Sequence, residues 1–424
     1  MKTDTTSDNV RVNGQRLWDS LMELAQIGAT PKGGVCRLAL TDLDRQGRDL
    51  FVQWAKEAGC AIRVDQMGNI FARRAGRDDH LAPVLTGSHI DTQPTGGKFD
   101  GNYGVLSGLE VLRTLNDHNV QTLAPLEVVV WTNEEGSRFV PVMMGSGVFT
   151  GALSLDDVLR QPDKSGNTVG GELKKIGYAG TTPCVPFPIK TYFEAHIEQG
   201  PVLEATDTVI GAVTGALGQR WYDITLSGLE SHAGSTPMEL RKDALLAASD
   251  IIQAVNRIAL DHAPNARGTV GSLDVFPNSR NVIPGQVKLS VDFRAATDTD
   301  LSEMDRALRA ACAALNDAHA VHTQIAQVVY FPPQPFHQEQ IQSVRNAARR
   351  LNLTHRDIVS GAGHDAVYVA GVAPTAMIFI PCKDGLSHNE IEDARPDHVE
   401  AGCNVLLLAM LEQAGHVKTP QNES

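Results

Sequence analysis

Several stretches of the chain combine histidine with carboxylates in patterns that suit metal binding. The first is GSHIDTQPTGGKFDGNYG at residues 87–104, which places His89, Asp91 and Asp100 in a glycine-rich turn. Nitrogen and oxygen ligands without thiolates suit Zn²⁺, Mn²⁺, Co²⁺ or Ni²⁺. Taken alone, this stretch also fits an ordinary polar loop in which Asp100 caps the next helix.

Two further stretches add acidic and imidazole side chains. WTNEEGSRF at 131–139 places Glu134 and Glu135 after the most apolar strand in the chain. Two adjacent carboxylates repel each other, and a cation between strand ends would relieve that repulsion. FEAHIEQGPVLE at 193–204 contains His196, although a lone histidine on a strand is more often a satisfied core residue.

The fourth stretch is KDGLSHNEIE at 383–392, where His388 follows the apolar run TAMIFIPC. Four predicted strands are thus each followed by His, Asp or Glu, and sites in open α/β sheets lie beyond the carboxyl ends of strands. If these stretches supply three histidines, one aspartate and one glutamate as ligands, the five are more than one open catalytic zinc requires. They suit two metal ions that share a carboxylate.

The elements that position these residues alternate between apolar runs and helical patterns. This alternation predicts an α/β catalytic domain with a mostly parallel central sheet. Runs rich in β-branched and aromatic residues predict strands at 84–89, 126–133, 191–197 and 375–382. Helical spacing predicts helices at 13–27, 42–58, 104–116 and 338–351.

The middle of the chain predicts a β-α-β-β-α-β order, that of a ferredoxin-like unit. The predicted elements are a strand at 221–228, a helix at 241–260, strands at 268–276 and 286–295, a helix at 298–319 and a strand at 321–331. The predicted domains are therefore residues 1–215 and 332–424 as two parts of the catalytic domain, with residues 216–331 inserted between them.

Composition excludes several classes of protein. The net charge of -13 over 424 residues argues against a nucleic-acid partner, which requires a basic face. No apolar run reaches the length of a membrane span, and the N-terminus lacks the apolar core of a signal peptide. The six cysteines are scattered without a CxxC pair, which favours reduced, mostly buried thiols and a cytoplasmic protein.

In combination, these motifs resemble the M20 family of dinuclear metallohydrolases, and within it the carbamoylase branch. That branch holds N-carbamoyl-L-amino acid hydrolases, β-ureidopropionases and allantoate amidohydrolases. The resemblance runs from about residue 14 to residue 413. It rests on the motifs GSHIDT, GGKFDGNYGV, TNEEGSRF, HIEQGPVLE, SHAGSTPMELRKDA, SRNVIPG, DFR, GAGHDA and SHNEIE.

The resemblance implies a centre of two divalent metal ions, with Zn²⁺ the first candidate and Mn²⁺, Co²⁺ or Ni²⁺ the others. Asp100 would bridge the two ions. His89 and His196 would complete the ligands of one ion, and Glu135 and His388 those of the other.

Three further roles in the catalytic domain follow from the same resemblance. Asp91 matches a carboxylate that orients the imidazole of His89, which is the usual way to set a ligand's tautomer. Glu134 matches the general base. Gln199 matches a residue that contacts the carbamoyl group of the substrate.

The inserted domain resembles the family's lid and dimerisation domain, which implies a homodimer. His232 matches the histidine that polarises the scissile carbonyl, often from the other subunit, and Asn281 and Arg294 match residues that hold the substrate carboxylate. From the residues alone, each has an ordinary alternative as a loop histidine, a turn residue or a surface charge.

The predicted activity is metal-dependent cleavage of the ureido C–N bond in N-carbamoyl-L-amino acids, or in N-carbamoyl-β-alanine. Allantoate amidohydrolase is the alternative, and no motif separates the two activities. An M20 aminoacylase or peptidase is disfavoured, because those enzymes usually have a carboxylate where this chain has His196. A non-catalytic binding protein is disfavoured because it would have no use for Glu134 beside intact ligands.

Overall fold

The computed structural model describes residues 9–416. The described chain forms two compact units, and each has a hydrophobic core of its own. The inserted unit is Gly215–Pro335, and the main unit consists of the described residues up to Thr214 and from Phe336 onward. No helix in the described part is long and apolar enough to cross a membrane.

The strands are numbered in chain order. They are β1 (Ala61–Val64), β2 (Ile70–Arg74), β3 (Val84–His89), β4 (Leu126–Trp131), β5 (Thr191–Ile197), β6 (Ile210–Ala216), β7 (Gly218–Ser227), β8 (Ser231–His232), β9 (Ala266–Phe276), β10 (Val282–Ile283), β11 (Gln286–Ala295), β12 (His322–Phe331), β13 (Gln334–Pro335), β14 (His355–Ser360) and β15 (Thr375–Ile380).

The α-helices are numbered in the same way, and two short 3₁₀ turns lie at Met238–Leu240 and Lys383–Gly385. The helices are α1 (Gly14–Leu24), α2 (Asp42–Glu57), α3 (Asn102–Asp117), α4 (Met144–Phe149), α5 (Leu155–Arg160), α6 (Val169–Ile176), α7 (Val202–Ala205), α8 (Ala244–Asp261), α9 (Asp298–His319), α10 (Gln338–Arg350), α11 (Asp365–Val369) and α12 (Pro396–Ala414).

The main unit is a mixed α/β fold with a largely parallel central sheet. Its strands lie in the order β1-β2-β4-β3-β5-β15-β6, and β14 also pairs with β6. The four central strands β4, β3, β5 and β15 are parallel to one another, whereas their flanking neighbours are antiparallel. The predicted strand at 126–133 ends early, at Trp131, because Asn133 adopts a left-handed conformation with φ of 54°.

Four helices of the main unit, α1, α3, α10 and α12, pack beside one another, and α3 and α12 contact the central strands. In α3, Leu109, Leu112 and Leu115 are fully buried. The helix begins at Asn102, two residues before the predicted start. Its N-cap is Gly101, without a side-chain hydrogen bond, so Asp100 is not the cap and its carboxylate is available for another role.

In the inserted unit the chain order is β7-α8-β9-β11-α9-β12, the predicted β-α-β-β-α-β order. The four strands form an antiparallel sheet in the order β12-β7-β11-β9, and β8 and β10 form a separate two-stranded ribbon. Helix α8 begins at Ala244 rather than at 241. The Asp243 side chain caps it by accepting the N–H groups of Leu245 and Leu246.

Candidate metal centre

The carboxyl ends of the four central strands carry the predicted ligands. His89 is the last residue of β3, and His196 is the last residue but one of β5. Glu134 and Glu135 follow the end of β4, and His388 follows the end of β15. Because these four strands are parallel neighbours, their ends lie along one edge of the sheet, where α/β proteins place their sites.

One group of candidate ligands consists of His89, Asp100 and His196, and all three residues are buried. Oδ1 of Asp100 lies 3.1 Å from Nε2 of His196 and 3.6 Å from Nε2 of His89. Three donors of these types, converging from two strand ends and a loop, form a set that suits a divalent transition-metal ion.

A second group consists of Asp100, Glu135 and His388. Nε2 of His388 lies 3.4 Å from Oδ2 of Asp100 and 3.3 Å from Oε2 of Glu135. Asp100 therefore presents one carboxylate oxygen to each group. The structure brings all five predicted ligands together, with Asp100 in the shared position.

Backbone oxygens orient the two buried imidazoles so that Nε2 of each ring points to the site. Nδ1 of His89 lies 2.9 Å from the backbone oxygen of Asp91, and Nδ1 of His196 lies 2.9 Å from the backbone oxygen of Ile197. A carbonyl oxygen only accepts hydrogen bonds, so Nδ1 carries a proton in both rings. This leaves Nε2 of each ring toward Asp100, as the nitrogen that would bind a metal ion after losing its proton, and the donor set fits the proposed ions.

Asp91 acts through both its backbone and its side chain. Its carboxylate lies 3.9 Å from Nδ1 of His89, so the closer contact to that ring is the backbone oxygen. The two carboxylate oxygens instead accept the backbone N–H groups of Glu134 and Glu135, each at 3.2 Å. One residue therefore orients a predicted ligand and also holds the acidic pair.

The pKa values of Glu134 and Asp100 are shifted in opposite directions. Burial raises the pKa of Glu134 well above its usual range, and the acidic neighbours Asp365 and Glu135 add to this effect. Burial also opposes ionisation of Asp100, but hydrogen bonds from His196 and His89 take its pKa well below the usual range. Asp100 thus stays ionised, as a ligand must, whereas Glu134 is suited to accept a proton.

A glycine beside the site allows the close approach of loop and ligand. Gly101 has φ of 66°, and a Cβ there would lie 2.4 Å from Cε1 of His89. Any larger residue would strain the left-handed backbone and collide with the imidazole. This glycine therefore lets the chain return beside His89 within the short segment that carries Asp100.

Gln199 lies at the shared carboxylate. Its Nε2 donates to Oδ2 of Asp100 at 2.8 Å and to Oγ of Ser387 at 3.1 Å. The amide predicted to contact the carbamoyl group thus hydrogen bonds to the carboxylate that the two ligand groups share.

The inserted unit contains the remaining predicted residues. His232 lies in the β8–β10 ribbon opposite Val282, and Ala233 N–H donates to the backbone oxygen of Asn281 at 3.0 Å, so His232 and Asn281 are near neighbours. Arg294 lies on β11, where its Nη2 is 3.0 Å from Oδ2 of Asp292.

The ring of His232 has a defined tautomer. Its Nδ1 accepts the backbone N–H groups of Gly234 at 3.0 Å and Ser235 at 3.1 Å. Nδ1 is therefore unprotonated, and the proton of the ring is on Nε2, where it is available as a hydrogen-bond donor.

Sequence reasoning missed several buried residues that support the site. Glu194 accepts hydrogen bonds from Ser88, which precedes His89, and from the N–H of Ala366. Asp365 accepts a short hydrogen bond from Ser146. Glu392 accepts the N–H of Asp100 at 3.1 Å. Asp365 and Glu392 lie within the quoted motifs GAGHDA and SHNEIE, which were the available signal.

A parallel sheet that presents two linked donor groups beside a buried glutamate is typical of metal-dependent hydrolases. The model of the peptidase family M20/M25/M40 matches residues 85–412. The chain belongs to this family, so the predicted resemblance is confirmed.

Individual relatives cover nearly the whole chain. An N-carbamoyl-L-amino-acid amidohydrolase of Rhizobium meliloti is 47% identical over 407 residues, which are 96% of this chain and 98% of the relative. An allantoate amidohydrolase of Escherichia coli K12 is 34% identical, over 94% of this chain and 98% of the relative. A solved amidase of the hydantoinase/carbamoylase family from Burkholderia multivorans is 60% identical with a TM-score of 0.94, covering 96% of this chain and 98% of that one.

Proposed function

We propose that this hydrolase is an N-carbamoyl-L-amino acid amidohydrolase. It would convert an N-carbamoyl-L-amino acid and water into the free amino acid, ammonia and carbon dioxide. The observation that carries the proposal is that Asp100 presents one oxygen to each of two ligand groups, with Glu134 beside them. The 47% identity to a relative of that name supports the substrate class.

His89, Asp100 and His196 would hold one divalent ion, and Asp100, Glu135 and His388 a second. Zn²⁺ is the first candidate, and Mn²⁺, Co²⁺ and Ni²⁺ accept the same donors. Such ions supply Lewis-acid activation of water and of the ureido carbonyl. Hydrolysis needs this activation because the nitrogen lone pairs delocalise into that carbonyl and make it resistant to attack.

Glu134 is the proposed general base. Its Oε2 lies 3.5 Å from Nε2 of His89, so it borders the first ligand group without belonging to either group. Its carboxylate would take a proton from the attacking water and return it to the leaving nitrogen. Burial raises the pKa of its carboxyl group, which increases its affinity for that proton.

We propose that the inserted unit is the lid and homodimerisation domain of the enzyme. His232 would donate its Nε2–H to the carbonyl oxygen of the substrate, and the two N–H groups that its Nδ1 accepts support this role. Arg294 and Asn281 would hold the substrate carboxylate, for which a guanidinium offers two parallel hydrogen bonds. Gln199 would contact the carbamoyl group.

The cytoplasm is the proposed compartment. All six cysteines are free thiols and five of them are buried, in line with the expectation from their spacing. Reduced cysteines are usual in that compartment.

One experiment tests the substrate class. Protein loaded with Zn²⁺ or Mn²⁺ is incubated with N-carbamoyl-L-amino acids, N-carbamoyl-β-alanine and allantoate, and ammonia release is measured beside metal content. We expect the fastest release from an N-carbamoyl-L-amino acid and none from protein stripped of metal. Faster release from allantoate would establish the alternative activity instead, and metal binding without turnover on any substrate would indicate a binding protein.

A further inference from the structure

Arg37 is a fully buried arginine on the segment before helix α2. Its guanidinium donates to three backbone oxygens, those of Ile90 at 2.8 Å, Leu24 at 2.9 Å and Ile27 at 2.8 Å, and to Oδ1 of Asn102 at 2.6 Å. None of these four acceptors is a carboxylate, so each partner neutralises the cation only through a dipole.

Two of these acceptors lie on the segment that carries the metal ligands. Ile90 is the residue between His89 and Asp91, and Asn102 is the second residue after Asp100. One rigid guanidinium therefore contacts both ends of the loop from His89 to Asn102. The N–H groups of the planar guanidinium point in fixed directions, so they set the directions of these hydrogen bonds as well as their lengths.

The contact to Asn102 extends to the shared ligand. Because Oδ1 of Asn102 faces Arg37, its Nδ2 points the other way and donates to the backbone oxygen of Asp100 at 3.1 Å. The backbone N–H of Asn102 donates to the same oxygen at 2.7 Å. The orientation of the Asn102 amide, and with it the backbone of Asp100, thus depends on the guanidinium.

A second buried arginine shows the usual arrangement. Arg48 is also fully buried, but it pairs with the carboxylate of Asp44 at 2.8 Å and donates to the backbone oxygen of Gly68. Arg37 donates to no carboxylate, and burial lowers the pKa of its guanidinium to about 10 although the negative charges of Asp44 and Asp91 oppose this effect; a buried cation without a directly paired carboxylate is costly. Stability alone therefore does not explain Arg37, whereas the position of its acceptors does.

We propose that Arg37 is a positioning residue for the metal centre, which sets the placement of Asp100 relative to His89 through Ile90 and Asn102. The inference rests on the proposed assignment of these two residues as metal ligands. Removal of a group that orients a metal ligand typically weakens metal binding about 10- to 100-fold.

The test compares the full-length wild-type protein with Arg37→Lys and, as a matched control, Arg48→Lys. A lysine keeps the charge but cannot span four separate acceptors. The readouts are calorimetric titration with Co²⁺, the visible absorption spectrum of the Co²⁺-loaded protein and thermal unfolding. We expect Arg37→Lys to weaken Co²⁺ binding about 10- to 100-fold and to alter the spectrum, whereas Arg48→Lys lowers only the unfolding temperature.

Wild-type affinity and an unchanged spectrum in Arg37→Lys would overturn the inference. If that variant does not fold, Asn102→Ala decides, because it removes the side-chain acceptor and leaves Arg37 its three backbone oxygens. Weakened Co²⁺ binding by Asn102→Ala supports the inference, and wild-type binding overturns it. Failure of the proposed function is a separate result, since it would appear in the wild-type protein itself, as no binding of two ions or as no ammonia release from N-carbamoyl-L-amino acids.

Discussion

One carboxylate oxygen of Asp91 accepts the backbone N–H of Glu134 at 3.2 Å, and the other oxygen accepts the N–H of Glu135 at the same distance. One buried side chain therefore fixes two successive N–H groups of the loop that carries the proposed base and one proposed metal ligand. The backbone oxygen of Asp91 separately fixes the ring of His89, so its carboxylate can be altered while that contact remains.

Asp91→Asn should lower kcat more than it lowers metal affinity. The amide retains one acceptor, so one of the two N–H bonds is lost and the acidic loop shifts. A misplacement of about 1 Å typically costs about 100-fold in rate. Steady-state kinetics beside metal analysis measure both effects. The matched control is Asp65→Asn, because Asp65 accepts the N–H groups of Met67 and Asn69 at 2.9 Å; an equal fall in kcat there would contradict the specific role of Asp91.

Glu134→Gln should retain both metal ions and lose nearly all turnover. The amide has almost the same size but cannot take a proton, and general-base catalysis is typically worth about 100- to 10,000-fold. Metal content by elemental analysis and ammonia release give the comparison. Glu135→Gln is the control, since it should lose metal as well as activity. A Glu134→Gln variant with substantial turnover would show that another group is the base.

Gly101→Ala should weaken metal binding, because the added Cβ collides with the ring of His89. The change also strains a left-handed backbone, at a cost of roughly 1–2 kcal/mol. Gly177→Ala separates these effects, since Gly177 has φ of 80° and nothing within 4 Å of the added Cβ. Both variants should unfold at lower temperature, but only Gly101→Ala should bind Co²⁺ more weakly. Equal affinities in the two variants would rule out the steric explanation.

Arg294→Ala should raise KM for N-carbamoyl-L-amino acids far more than for a ureido compound without a carboxylate. A hydrogen bond to a charged group contributes about 1.5–3 kcal/mol, which corresponds to about a 10- to 150-fold change in binding. Kinetics on both kinds of substrate measure the difference. An equal loss on the two would indicate that Arg294 acts on the structure of the inserted unit instead.

Metal affinity should rise with pH up to about 9. In the metal-free protein, hydrogen bonding to Glu135 raises the pKa of His388 to about 9 against the opposing effect of burial. The ion pair between protonated His388 and Glu135 therefore stabilises the metal-free fold at low pH. This contribution to stability is lost as pH rises through about 9. Below that pH, a metal ion must displace the proton. Calorimetry in buffers of different ionisation enthalpy should show proton release at pH 7.5, and a pH-independent affinity would contradict the prediction.

Much of the fold follows from local patterns. The apolar runs of β3 and β5 have the predicted bounds, because β-branched and aromatic residues favour extended chain wherever they occur. Boundaries that depend on caps or left-handed residues differ by a few positions, as at Asn133 and Asp243. The motif combination also identified the family and the five residues that form the two ligand groups.

The tertiary structure decided which group each side chain contacts. The sequence placed Asp91 two residues after His89 but could not show that its carboxylate holds the N–H groups of Glu134 and Glu135. Arg37 is a single cation in the apolar run VCRLAL, and this pattern does not predict which groups it contacts. Propensity and periodicity are properties of neighbouring residues. The hydrogen bonds of Asp91 join positions 43 and 44 residues apart, and those of Arg37 to Ile90 and Asn102 join positions 53 and 65 residues apart. Such pairings exist only once the strands and helices have packed.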